Sequence, residues 1–158
     1  MPYTFERSVE LPVSVKEAFE WHTRPGALAR MTPPWDKIEI IRNDNSIQNG
    51  AQVIMQVPVW GPIKKAWIAE HFDYLENMMF CDRQIQGPFS FFEHTHRFEP
   101  VTAARGRLID HIEYRPPFGP LGKLGLGIIQ KCTAKSPVTP IGLLLGVPPS
   151  RCARNRLG

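Results

Sequence analysis

Between Lys37 and Tyr114 the chain falls into six short segments that alternate apolar and polar residues with a period of two, each separated from the next by turn-forming residues. Lys37 to Arg42 (KIEIIR) is followed by Asn43-Asp44-Asn45 and Asn49-Gly50, both good turn chemistry. Ala51 to Val59 (AQVIMQVPV) puts Val53, Met55 and Val57 on one face, and Gly61-Pro62 turns the chain into Ile63 to Tyr74, where Trp67, Ala69 and His71 share a side. Glu76-Asn77 leads to Met79 to Gln86, Gly87-Pro88 to an aromatic stretch ending at Pro100, and the loop Thr102 to Gly106 to a last segment, Arg107 to Tyr114. Connections this short join antiparallel neighbours, so the pattern predicts a meander that curves into a sheet with one concave face. Another element must cover that face.

Upstream, Thr4 to Leu11 alternates Phe5, Arg7, Val9 and Leu11 against Glu6, Ser8 and Glu10, which predicts a first strand ended by Pro12. Ser14-Val15-Lys16-Glu17 is a capping box, and Val15, Ala18, Phe19 and His22 then follow helical spacing until Arg24-Pro25-Gly26. A second short helix is expected in PGALARM, with Pro25 in its first turn, closed by Thr32-Pro33-Pro34-Trp35. The order is one strand, two helices, then five or six strands.

The stretch GPFSFFEHTHRFEP, Gly87 to Pro100, carries the most chemistry. In a strand Phe92, His94, His96 and Phe98 point one way, and Phe91, Glu93, Thr95, Arg97 and Glu99 the other. One face is aromatic and imidazole, suited to the wall of an apolar pocket with a few polar groups, and Pro100 is expected to stop the ladder. With Trp67 and His71 from one neighbouring segment and Asp110 and Ile112 from another, these residues form the expected ligand-binding set: Trp67, His71, Phe92, His94, His96, Phe98, Asp110 and Ile112. Alternate strand residues lie about 6.5–7 Å apart, so His94 and His96 are within reach of one ion if His71 or Asp110 converges on it. A lone H-x-H pair is weak support for a metal, and no metal or cofactor is assigned. Glu93, Asp110 and His71 are candidates for general acid–base work on a carbonyl, with His94, His96 and Asp110 the catalytic set if there is one; the plainer reading is an internal polar network. There is no G-x-S-x-G and no phosphate-binding glycine loop.

The net charge of +4 is unevenly spread. Residues 1 to 114 hold 12 Lys and Arg against 15 Asp and Glu, whereas residues 115 to 158 hold 7 Lys and Arg and no acid. The folded part therefore lacks the basic face that nucleic-acid binding needs, and no nucleic-acid partner is expected. Cys81, Cys132 and Cys152 are odd in number and show no C-x-x-C spacing, and the N-terminus has no apolar run suited to a signal peptide. A cytoplasmic protein is expected.

Residues 3 to about 125 resemble the START-like or SRPBCC superfamily of helix-grip proteins, and within it the bacterial branch described as polyketide cyclase/dehydrase or coenzyme Q-binding START-like. The resemblance is carried by FERSVELPVSVKEAFEWHTRPGALARMTPPW (Phe5 to Trp35), WIAEH (Trp67 to His71), GPFSFFEHTHRFEP and IEYRPPFGPLGKLG (Ile112 to Gly125). It implies an α+β helix-grip fold: a curved antiparallel sheet, two short N-terminal helices and a C-terminal helix enclosing an apolar cavity. It implies binding of a hydrophobic molecule such as a lipid, quinone or polyketide-like ring; a cyclase/dehydratase enzyme and a non-catalytic interaction module are the alternatives. In the relatives this resemblance points to, an epimerase-like domain often follows; none is expected within residues 1–158.

The ligand-binding domain is expected over 1–130 and an atypical, disordered basic tail over 131–158. Pro137, Pro140, Pro148 and Pro149 forbid a long closing helix, and Gly122, Gly125 and Gly127 weaken one, so the C-terminal helix should be short, within Leu121 to Lys135. A frame change or truncation near Lys131 explains the lack of acids and periodicity better than a divergent native tail. PIGLLLGVP (Pro140 to Pro148) is too short to span a bilayer and, with Arg151, Arg154 and Arg156, implies at most weak membrane contact.

Overall fold

The computed structural model describes residues 1–32, 37–60 and 62–117, the side chain of Trp60 excepted. The expected short C-terminal helix, the irregular tail, the apolar run from Pro140 and the indole of Trp35 lie outside the described residues. Seven strands form one antiparallel sheet: β1 (Tyr3–Leu11), β2 (Glu39–Asn43), β3 (Gln52–Trp60), β4 (Ile63–Leu75), β5 (Met79–Gln86), β6 (Phe91–Thr102) and β7 (Arg105–Arg115), in the spatial order β1-β7-β6-β5-β4-β3-β2. The helices α1 (Val15–Thr23) and α2 (Ala27–Met31) carry the chain from one edge strand to the other, after which the meander returns. Register shifts interrupt β2–β3, β3–β4, β4–β5 and β6–β7, and such bulges bend strands and increase their twist. Asp73 and Asn77, both at positive φ, sit at the β4 bulge and in the turn after it.

The cap of α1 is as expected: Glu17 N–H donates to the Ser14 hydroxyl at 3.3 Å, and Ser14 N–H donates to the Glu17 carboxylate at 2.9 Å. Ala18, Phe19, Trp21 and His22 form its buried side. The helix entry is pinned to β7, where Gly106 N–H donates to the Val13 carbonyl at 2.6 Å; a side chain at Gly106 would press on the backbone of Val13 and Val15. Pro25 is not in the first turn of α2, because Gly26 caps that helix at φ 75°, a left-handed conformation that glycine takes at little cost.

Pro100 does not end its strand. β6 continues to Thr102, and Pro100 is tolerated because its pairing with β5 has already stopped at Arg97, leaving only β7 alongside. Likewise the loop expected over Thr102 to Gly106 is a tighter turn, with Arg105 already in β7. Two aromatic clusters lie on the concave side. One, under α1, joins Leu11, Phe19, Trp21, Phe80, Phe98 and Leu108; the other joins Phe89, Phe92, Ile112 and Tyr114, with Phe5 and Trp67 against them.

Candidate functional site

The inner face of β6 runs Phe92, His94, His96, Phe98, and the register with its neighbours decides what each meets. His94 stands opposite Asp82 of β5, and His96 stands opposite Asp110 of β7. Two imidazoles therefore lie between two carboxylates. His96 Nδ1 hydrogen-bonds Asp110 Oδ1 at 2.8 Å, and its Nε2 faces Asp82 Oδ2 at 3.4 Å. His94 Nδ1 lies 3.7 Å from Asp82 Oδ2, and its Nε2 lies 3.5 Å from Asp110 Oδ1 without forming a hydrogen bond. The two rings are 3.8 Å apart between centroids, and Phe80 stacks on His96 at 4.4 Å.

This quartet lies in the wall of a cavity of about 390 Å³, whose other described walls are largely apolar: Leu28, Met31, Val53, Met55, Trp67 and Leu108 among them. Four of the chain's five histidines, His22, His71, His94 and His96, line it. His22 reaches in from α1; its Nδ1–H donates to the Ala18 carbonyl at 2.8 Å, which fixes the tautomer and leaves Nε2 without a proton.

Burial sets these groups apart. Desolvation, helped by the charge of His96, pushes His22 down to about 4, against the pull of its Ala18 hydrogen bond and of Asp110. Desolvation also lowers His71, although Asp82 draws it upward. For His96 desolvation acts downward too, but the hydrogen bonds and charges of Asp110 and Asp82 outweigh it and lift the ring to about 9. Burial would raise both carboxyls, yet the approach of the histidines overcomes it: Asp82 is held below its ordinary value and Asp110 well below the usual carboxylate range. At neutral pH the cavity thus holds two carboxylates, an imidazolium at His96 and neutral rings at His22 and His71.

Of the residues expected to bind ligand, Trp67, His71, Phe92, His94, His96 and Asp110 line the cavity. Phe98 and Ile112 do not. Phe98 packs against Phe19 beneath α1, at 5.2 Å between rings, and Ile112 is buried in the second aromatic cluster. Glu93, a candidate acid–base group, is on the opposite face, as the parity of β6 requires. The sequence reading missed Asp82 and His22. Asp82 lies two residues from Phe80 in MFCDRQIQ, so strand parity is the signal for it; the sequence marks His22 only as part of the helix stripe.

Residues 11–134 match the family model described as polyketide cyclase / dehydrase and lipid transport. The chain belongs to that family. Its fold is the helix-grip fold of the START-like superfamily. Norcoclaurine synthase from Thalictrum flavum, solved with dopamine and hydroxybenzaldehyde, superposes with a TM-score of 0.68 at 16% identity, covering 96% of this chain and 90% of that one. The Zhui aromatase/cyclase from Streptomyces sp. R1128 gives 0.68 at 15% identity over 92% and 93%. A START superfamily protein from Mycobacterium smegmatis gives 0.61 at 17% identity over 89% and 98%. At such identities the likeness is one of fold. No curated protein matches the chain in sequence. Family and fold point to hydrophobic ligand binding or to polyketide cyclase/dehydrase-type roles, and among the described residues no helix is long and apolar enough to cross a membrane.

Proposed function

We propose that the protein binds, in the cytoplasm, an apolar small molecule that carries oxygen functions, such as a quinone, an oxygenated lipid or a polyketide-like ring. One observation carries the reading. Among the described residues, the buried side-chain polar atoms left without a hydrogen-bond partner are Trp67 Nε1, His71 Nδ1 and His94 Nε2, and all three residues line the cavity. Leaving a buried donor or acceptor unpaired costs about 1–3 kcal/mol, so the wall is completed by a guest that supplies partners. The indole N–H is a donor only, which calls for an acceptor oxygen at the Trp67 end. The remaining surface favours an apolar skeleton.

The test is displacement of a cavity-bound apolar dye by pairs of compounds that differ only in a carbonyl, compared between the native protein and Trp67→Phe. The native protein should prefer the carbonyl compound, and the variant should lose that preference while keeping its affinity for the hydrocarbon. Equal binding of both compounds by the native protein sinks the reading.

A second reading is favoured by a different contact. The His96–Asp110 hydrogen bond is buried beside the cavity, and His96 holds its proton at neutral pH. An imidazolium so placed can protonate a carbonyl or hydroxyl oxygen while a carboxylate of the quartet accepts a proton from carbon, as a cyclisation or dehydration requires. Turnover of a poly-carbonyl substrate that vanishes in His96→Gln supports it, and unchanged turnover in that variant removes it. An interaction module with a vestigial cavity has no comparable observation behind it.

A further inference from the structure

The quartet is unlike the rest of the cavity wall in that its nitrogen and oxygen atoms converge. Asp82, His94 and His96 each offer one ligand atom, and these atoms all lie within 4.8 Å of one another. Asp82 Oδ2 is 3.4 Å from His96 Nε2 and 3.7 Å from His94 Nδ1. Bonds of about 2.0–2.1 Å to a tetrahedral ion place its ligand atoms about 3.3–3.4 Å apart, so small side-chain rotations suffice to close the set on one ion.

The surroundings fit as well. A metal-bound histidine ordinarily donates its other ring N–H to a carboxylate or carbonyl, which fixes the tautomer and the ring's direction. His96 has that partner in Asp110, at 2.8 Å from Nδ1, while its Nε2 faces Asp82, the third member of the set, and releases its proton to solvent when the ion binds. All three side chains are more than three-quarters buried, rest on β5 and β6 rather than on loops, and open toward the cavity, so the fourth position is free for a small molecule.

We propose that Asp82, His94 and His96 bind a divalent first-row transition ion, with Asp110 as the residue that positions His96. Two imidazoles and one carboxylate with an open position suit zinc, cobalt or ferrous iron rather than calcium or magnesium, which take oxygen ligands. This assignment stands apart from the apolar-guest reading. Only the step in which a guest's oxygen completes the shell of the ion rests on that reading.

Cobalt(II) and zinc(II) are the probes, used with the full chain and no added ligand. One equivalent of cobalt should produce visible d–d bands in the native protein, and His94→Ala should abolish them. Asp110→Asn should keep the bands but weaken binding about 10- to 100-fold. A measurement on the native protein covers the case in which a variant fails to fold. In long-range 1H–15N spectra, zinc should shift His94 through Nδ1 and His96 through Nε2, leaving half-buried His111, which pairs with Glu6 and Glu113, unmoved. Absence of cobalt bands in the native protein, native-like bands in His94→Ala, or zinc shifts confined to His111 or to other groups would each overturn the site.

Discussion

The two aromatic clusters on the concave face are built from similar residues and end up in different states. Under α1, Phe19 and Leu11 are each about 1% exposed, and Phe19 meets Tyr74, Phe80 and Phe98 at ring distances of 5.2–6.2 Å. At the other end Phe89, Phe92, Ile112 and Tyr114 retain 7–9%, although Trp67 and Phe92 meet edge to face at 4.9 Å. The difference is the lid. A helix lies over the first cluster, no described helix lies over the second, and β6 joins them with His94 and His96 between Phe92 and Phe98. The tightest packing lies under α1, and the histidine–carboxylate quartet sits on β5, β6 and β7 where that packing gives way to the cavity.

Phe19→Ala is the sharpest way to break the contrast, since it empties the covered end. It should cost about 3–5 kcal/mol in urea unfolding. A loss as small as that of a surface substitution would mean that α1 does not seal this core.

The pH profile separates two rings of the cavity wall, because His22 hangs from the covering helix and His96 belongs to β6. His22, faced by His96 and Asp110, has a folded value of about 4, below its ordinary 6.5. Its contribution is present above pH 6.5 and is lost as pH falls through 4. His96, faced by Asp82, Asp110, His94 and His22, has a folded value of about 9, so its contribution is full below pH 6.5 and is lost as pH rises through 9. In metal-free protein the thermal midpoint should peak near pH 6.5, and His22→Gln should reduce the arm below 6.5, leaving the part that buried His71 contributes, while leaving the alkaline arm. An alkaline arm that also disappears would show that the two rings act as one unit.

Phe92→Ala should cost less than Phe19→Ala, about 1.5–3 kcal/mol, and should weaken dye binding more than it weakens the fold. Equal stability losses at Phe19 and Phe92 would erase the distinction between the cluster under α1 and the one beyond it. The smallest effect belongs to the helix cap: Ser14→Ala should remove about 1 kcal/mol by thermal unfolding and leave dye binding unchanged. Dye binding that falls with the cap would instead couple α1 to the cavity.

Local pattern was enough for the described strands and helices and for the face on which their residues lie. Period two placed the strands within a few residues of their ends, the S-x-x-E box started α1, and parity put Phe92, His94 and His96 on the wall. What local pattern lacks is register. That Asp82 meets His94 and that Asp110 meets His96 follows from the β5–β6 turn and the β6–β7 pairing, where Gln84 exchanges hydrogen bonds with the backbone of Phe89. Phe98 shares its face with the cavity residues yet belongs to the core, because α1 comes down on that end of β6. How far a covering element extends along a face cannot be read from the face itself.

The pairing of β1 with β7 sets Tyr3 against Tyr114 and Leu11 against Gly106, partners separated by nearly the whole described length. During synthesis the first strand emerges long before the last one exists, so Phe5, Val9 and Leu11 wait without a neighbour while the hairpins from β3 onward assemble locally. Contacts between such distant residues close large loops and slow the final step. Assembly of this sheet should therefore end where the chain began, and a ribosome-bound chain stalled before residue 105 should remain sensitive to proteolysis within its first strand.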